Sequence, residues 1–355
     1  MKKILKFAAI ALSTTLATSV LFACNNNNSS SSSSSSSALG TVSGSYQKTE
    51  AQPVAAKMTQ LNYSALSGTD DQGAVKTGWS TGLTLENEGT FSFTGTGVSL
   101  SGFLSMDANV VGKEVAGQEV YNAAFNANAA MSCISEGVNT PASASLSAYY
   151  DGAYAYASVN AQLAGDSFNK KQKATIEDLL LWIDQIDWES FIPTEEPAPF
   201  AAEVVTPPVG ETDITELVNT LSTLQSALGL EYSADFTNGT KLKAATTENT
   251  SILLAAMINS YIAQEYGAEA GIAVGFSKSK VEVYLCADAQ NNLTEIAVNI
   301  DIAAALTMEG QTYNFTFQNA LSLKVTGWQN VLPAGLATDP AYELFTPSQS
   351  PTPVE

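Results

Sequence analysis

The 355 residues contain no histidine and no arginine; every one of the fifteen basic side chains is a lysine. Histidine is the usual general base and the commonest metal ligand near neutral pH, and arginine is the side chain that grips carboxylates and phosphates bidentately. Ser-His-Asp and Cys-His hydrolysis, His-ligated zinc and arginine-clamped phosphoryl transfer are therefore excluded. Positive charge of any kind is scarce, with 35 Asp and Glu setting the net charge at −20. Such a chain cannot neutralise a run of phosphates, so nucleic acid is excluded as a partner. An acidic protein offers many chance carboxylate pairs, and none here singles out glycoside hydrolysis. Asp184, Asp187 and Glu189, and the pair Glu195 and Glu196, lack the spacing of a calcium loop and read as solvated surface. The expectation is a protein that is not an enzyme and has no catalytic residue, cofactor or metal.

Long apolar runs are missing too. The longest, Phe7 to Phe22, follows Lys2, Lys3 and Lys6 and includes Ser13, Thr14, Thr15 and Thr18. It falls short of the ~20 apolar residues of a membrane-spanning helix and has the charged start and short apolar centre of an export signal.

Cysteine occurs three times. Cys24 closes the stretch Leu21-Phe22-Ala23-Cys24, ahead of Asn25 to Asn28 and Ser29 to Ser37. Leu21, Ala23 and Cys24 resemble the lipobox of bacterial lipoproteins, although Phe22 is bulkier than the small residue usual there. The resemblance implies a signal peptide over 1–23, acylation of Cys24 as the first mature residue, and a flexible tether over 24–37. It places the domain in the cell envelope, lipid-anchored to a bacterial membrane, the outer membrane in a Gram-negative cell. Two or three acyl chains anchor a protein durably where one does not. An Asn/Ser leash of this length spans about 20 Å. Cys133 and Cys286 both fall in strand-like segments; they could pair or remain buried thiols, because sequence does not give the Cα separation a disulfide needs.

What the chain does contain is alternation. Phe91 and Phe93 share one parity, and Val98, Leu100, Leu104, Met106 and Val110 the other, with the switch at Gly95-Thr96-Gly97, a bulge or tight corner. Tyr150-Asp151-Gly152-Ala153 reads as a type I′ hairpin turn that pairs Tyr150 with Ala153 and Tyr149 with Tyr154. One face of that hairpin is then small and apolar, and the other carries Tyr149, Tyr154 and Tyr156. Helical spacing follows over Ala174 to Phe191, with Ile176, Leu179, Leu180, Ile183 and Ile186 in one stripe widened by Trp182 and Trp188. It recurs over residues 214–228, ended by Gly229, and, after a strand expected at Tyr232 to Ala245, over Asn249 to Tyr266, whose Ile252 to Ile258 segment is almost wholly apolar. Residues 281–308 and 311–327 alternate again, which requires one buried and one wet face.

These signals give an α+β chain: a long curved antiparallel sheet, half-barrel-like, with two to three amphipathic helices on its concave apolar face. The domain runs over 38–332, with strands in 75–168, helices in 170–266 broken by a proline-rich connector at 193–210, and a meander at 272–327. Residues 333–355, rich in Pro, Ser and Thr, read as a disordered tail. The hairpin at Tyr149-Tyr150-Asp151-Gly152 before the helices and the Val281 to Leu306 hairpin after them resemble the LolA/LolB lipoprotein carriers and the mycobacterial LppX/LprG lipid-transfer lipoproteins. That resemblance implies a cavity for acyl chains between sheet and helices; the absence of arginine departs from the carrier pattern. The site expected is a lipid or apolar-ligand pocket using Tyr149, Tyr154, Tyr156, Trp182 and Ile258. The alternative is a structural or adhesin-like surface lipoprotein whose tyrosine face or loops meet a protein or glycan.

Overall fold

The computed structural model describes residues 39–62, 66, 68–69, 74–135, 137–163, 166–178, 214–267, 271–308 and 310–345. Signal, Cys24, tether, connector and Trp182 lie outside these residues, as do Asp184, Asp187, Glu189, Glu195 and Glu196. The fold is α+β and is dominated by one sheet. In chain order the elements are β1 (Gln47–Thr49), α1 (Ala51–Met58), β2 (Ser80–Gly95), β3 (Val98–Val115), β4 (Gln118–Ser135), β5 (Val138–Tyr150), β6 (Tyr154–Leu163) and β7 (Asp166–Thr175). After these come α2 (Ile214–Leu228), β8 (Leu230–Asp235), β9 (Thr240–Thr246), α3 (Glu248–Tyr266), β10 (Ala273–Ala287), β11 (Leu293–Met308), β12 (Gln311–Thr326) and β13 (Glu343–Leu344). The strand order is β1-β8-β9-β10-β11-β12-β2-β3-β4-β5-β6-β7-β13, open at both ends. All pairings are antiparallel except β13 on β7. At ~3.3 Å per residue, the 18-residue strands β3 and β4 run for roughly 60 Å, far beyond usual strand lengths.

The glycine switch at residues 95–97 is the corner of a two-residue hairpin, with Gly95 opposite Val98 and Gly97 at φ +76°. The Asp151 turn differs from the expected one. Tyr149 pairs with Tyr156 and Tyr150 with Ala155, two residues away from the I′ register. The reason is the Asp151 carboxylate, whose Oδ1 accepts from the backbone N–H groups of Ala153 and Tyr154 while Oδ2 accepts from the Tyr156 hydroxyl. That set of bonds favours a three-residue loop. A shift of two preserves which side chains share a face, so the tyrosine side survives the correction.

Two further expectations are corrected. The helical block was placed over 170–266, yet β7 extends to Thr175 and a helix begins only at Ile176, where the Thr175 hydroxyl accepts from the Asp178 N–H. Within the same block, the strand expected over Tyr232 to Ala245 is the β8–β9 hairpin, whose turn places Gly239 at φ +92°. The supposed tail beyond Pro333 is packed as far as Phe345. Leu336 and Tyr342 are buried with Tyr156, Lys171 reaches Asp339 at 3.4 Å, and Glu343 and Leu344 add β13 to the β7 edge. Proline and threonine composition does not reveal two apolar anchors six residues apart.

Candidate functional site

The strand register sorts the side chains into two faces. Reading partner to partner across the sheet, one row runs Lys170, Val159, Leu146, Ala127, Met106, Asn87, Leu321, Val298, Val283, Ala244 and Tyr232. The neighbouring row runs Phe168, Ala161, Ala144, Ala129, Leu104, Gly89, Asn319, Ile300 and Val281. The next carries Leu163, Ala142, Met131, Gly102, Phe91, Phe317 and Ile302. This face is apolar over most of β2 to β6 and β8 to β12, interrupted mainly by the amides of Asn87 and Asn319 and, at the β3–β4 turn, by Glu114 and Glu119; on β7 it carries Asp166, Lys170 and Gln172 beside Phe168. The opposite face carries Glu86, Ser101, Asp107, Asn126, Ser145, Lys173, Asp301 and Lys324.

Helices cover the apolar face at one end. Ala51 and Val54 of α1 bury against Tyr232, Ala234 and Leu242, with Leu221 of α2 packed alongside, and the Tyr232 hydroxyl donates to the Leu221 carbonyl. α3 is tied to β10 by its polar side chains: Asn259 exchanges two hydrogen bonds with the backbone of Val274 (2.7 and 2.8 Å), and the hydroxyls of Ser251 and Ser279 meet. The Ile252 to Ile258 stretch of α3 is almost wholly apolar and is not all turned toward β10: Ile252 is 68% exposed, and Leu253 and Met257 are exposed as well.

Over β2 to β6 the apolar face forms a groove of about 240 Å³ running across the strands. Its floor is the alanine row Ala129, Ala144 and Ala161. Val159 and Leu146 rise on one side, Leu163, Met131 and Phe91 on the other. A methyl floor between larger side chains lines the depression.

The residues expected to form the site do not converge. Tyr149, Tyr154 and Tyr156 lie on the polar face, opposite the groove. Tyr156 is 2% exposed beneath the C-terminal segment, packed edge-on against Tyr342. The tyrosine surface is therefore largely occupied by the chain's own end. Burial first, then its hydrogen bond to Asp151, raises the Tyr156 hydroxyl to about 12. Ile258 is half-buried on α3 beside β10, at the far end of the sheet from these tyrosines. The small, apolar face of the β5–β6 hairpin is legible in sequence, but not that its alanines join Ala127 and Ala129 of β4 as the floor of a groove, because that needs the β4–β5 pairing.

The cysteines do not pair. Cys133 on β4 shares the apolar face with Leu100, whereas Cys286 on β10 sits opposite Glu295 on the other face, and five strand spacings, about 24 Å, separate them. Around Cys286 the polar face is sealed by the N-terminal segment. Tyr46 packs on Tyr284 with ring centroids 5.9 Å apart, and Lys243 lies over both rings. Glu282, 5% exposed, is held by Lys243 at 2.7 Å and Lys280 at 3.0 Å; burial pushes its carboxyl up, but the two ammonium groups outweigh this and hold it below the usual range. Burial also raises the Cys286 thiol to about 11. The segment's path needs Gly40, at φ +75°, where a Cβ would lie 2.7 Å from the Val298 carbonyl oxygen. Among the described residues no three acidic or thiol groups gather where a metal ion could sit, and no helix is long and apolar enough to cross a membrane.

No family model and no curated protein matches the chain. The transport unit of the autotransporter AIDA-I from Escherichia coli overlaps 79% of this chain and 100% of its own, at 10% identity and a TM-score of 0.20. A porin-like protein from Bacteroides uniformis overlaps 70% of this chain and 96% of its own, at 7% identity and a TM-score of 0.12. Superpositions this loose carry no inference for this chain.

Proposed function

We propose that this chain is an exported lipoprotein, anchored through Cys24, that holds a lipid or other apolar ligand on the apolar face of its sheet. The observation that carries the reading is the apolar face itself. Among the described residues, helices pack on it only at the β8–β10 end, and Val283 and Phe315 on it remain 40% exposed. Full burial of such a side chain is worth about 1.5–3 kcal/mol, so each one left half-exposed forgoes roughly 1 kcal/mol. Soluble proteins seldom leave apolar patches larger than a few hundred Å² uncovered unless something binds there. A ligand with acyl chains would recover that burial without demanding any of the chemistry that missing His and Arg exclude. Binding on a short leash suits a local holder at one membrane and not a ferry between two.

The alternative, a structural or adhesin-like lipoprotein that meets a partner through the tyrosine face or loops, has less tyrosine surface to offer, because Leu336 and Tyr342 pack over Tyr156. The test is organic extraction of the purified full chain followed by mass spectrometry. The expected result is acyl species in near-stoichiometric amount; an extract free of lipid, together with no binding of added oleate, overturns the proposal.

A further inference from the structure

We infer that the ligand of the groove is an anionic amphiphile, a fatty acid or a lipid with one accessible acidic group, and that Lys170 receives its headgroup. The inference rests on the proposed apolar-ligand reading and adds the ligand's charge and orientation.

The groove runs perpendicular to the strands, so its two ends are set by which strands carry its walls. One wall, Val159 and Leu146, continues in register into Lys170 on β7. Lys170 is exposed on the same side of the sheet, and Phe168, 53% exposed, extends the floor row beside it. Among the described strand residues that face this side, Lys170 is the only cation. The register places Lys48, Lys113, Lys171, Lys173, Lys241, Lys243, Lys278, Lys280 and Lys324 on the other side. Six of those nine are held in ion pairs, with Glu231, Asp339, Glu282, Asp301 or Glu86 as partners. Lys170 is in none of them.

Of the acids on the apolar side, Glu343 of β13, which pairs with Gln172, lies one strand across and two residues along, roughly 8 Å away, and Lys170 forms no ion pair with it. Glu114 and Glu119 are at the β3–β4 turn, and Asp166 is four residues along β7, roughly 13 Å away. From Lys170 to Met106 the row crosses four strand spacings, about 19 Å, comparable with a long acyl chain laid across the sheet. A chain so placed would lie on Ala161, Ala144 and Ala129 with its acidic head beside the Lys170 ammonium. In a protein of net charge −20, an ammonium in none of the described ion pairs, at the mouth of an apolar groove, distinguishes acidic from neutral ligands more sharply than it would on a basic surface.

The test uses the full chain carrying Cys24→Ser, which removes the acylated residue and its own lipid, with fluorescent cis-parinaric acid as the probe. Oleate and oleyl alcohol then compete for the probe at low salt and at about 1 M salt, where the screening length is ~3 Å. The expected result is that oleate competes about three- to five-fold better than the alcohol at low salt, the range of an exposed ion pair, and that the preference collapses at high salt. Lys170→Gln should abolish the preference while leaving alcohol competition unchanged; Lys173→Gln, on the other face, should leave it intact. Equal competition by acid and alcohol, or a preference that survives Lys170→Gln, overturns the assignment of Lys170 and leaves the apolar site standing. Failure of both ligands to compete, or of the probe to bind, overturns both proposals.

Discussion

Tyr342 stands edge-on against Tyr156, with ring centroids 5.3 Å apart and planes at 88°. The two residues are far apart in sequence, and the contact fastens the C-terminal segment across the polar face of β6 and β7. Lys171 strengthens it, lying 5.3 Å from the Tyr342 ring while pairing with Asp339. Removing a buried aromatic side chain typically costs about 3–5 kcal/mol. Tyr342→Ala is therefore expected to lower stability by roughly 3 kcal/mol, read from the urea midpoint at constant m-value. A change under about 0.5 kcal/mol would mean that the segment does not contribute to the fold.

The N-terminal segment is fastened by a charge instead. Asp235 accepts from the Thr237 hydroxyl and N–H and from the Ser45 N–H, which hold its carboxyl down at about 2. The ordinary aspartate value is ~3.9, so between the two values the unfolded chain binds more protons than the folded one. The contribution is complete above about pH 4 and is lost as pH falls toward 2. Asp235→Asn keeps an acceptor oxygen but does not titrate. The difference in urea midpoint between wild type and variant should narrow as pH is lowered from about 5 to 2; a difference independent of pH would refute the role of the charge.

The thiols give a third expectation. Cys286 is buried, and its raised value leaves little thiolate near neutral pH, while Cys133 is only half-buried. Iodoacetamide should label the native chain at Cys133 first and reach Cys286 only on unfolding. A non-reduced digest should contain no Cys133–Cys286 peptide, since the two lie on opposite faces. Recovery of that peptide from freshly purified protein would contradict the strand order.

How far these features could be read in advance depended on their range along the chain. Alternation marked Phe91, Phe93, Leu321 and Leu323 as one-sided, because period two is a local property of the backbone. The pairing of Phe93 with Phe315, which joins the N-terminal and C-terminal blocks of strands into one sheet, is not local, and no residue in either strand announces its partner. The Asp151 turn failed for a narrower reason: Asp-Gly matches a I′ turn, but the Asp151 carboxylate had a second use for Tyr156 that only tertiary placement supplies. Lys170 was invisible as a site residue because its neighbours Lys171 and Lys173 look equivalent in sequence. Only strand parity separates it from them.

The groove itself makes the sharpest test, because its floor residues point into space that a packed core would not leave. In a filled core, Ala144→Phe forces neighbours out of their rotamers and costs about 1–3 kcal/mol. On an open alanine floor the added ring has room between Leu146 and Met131, so stability should change by less than roughly 1 kcal/mol while the groove is filled. The same substitution should cut cis-parinaric acid binding by tenfold or more, since the ring occupies the path of the acyl chain. Ser147→Phe, on β5 facing the other side and outside the groove, should leave binding unchanged. Loss of stability without loss of binding would show that the floor is already covered by the chain and that the ligand lies elsewhere.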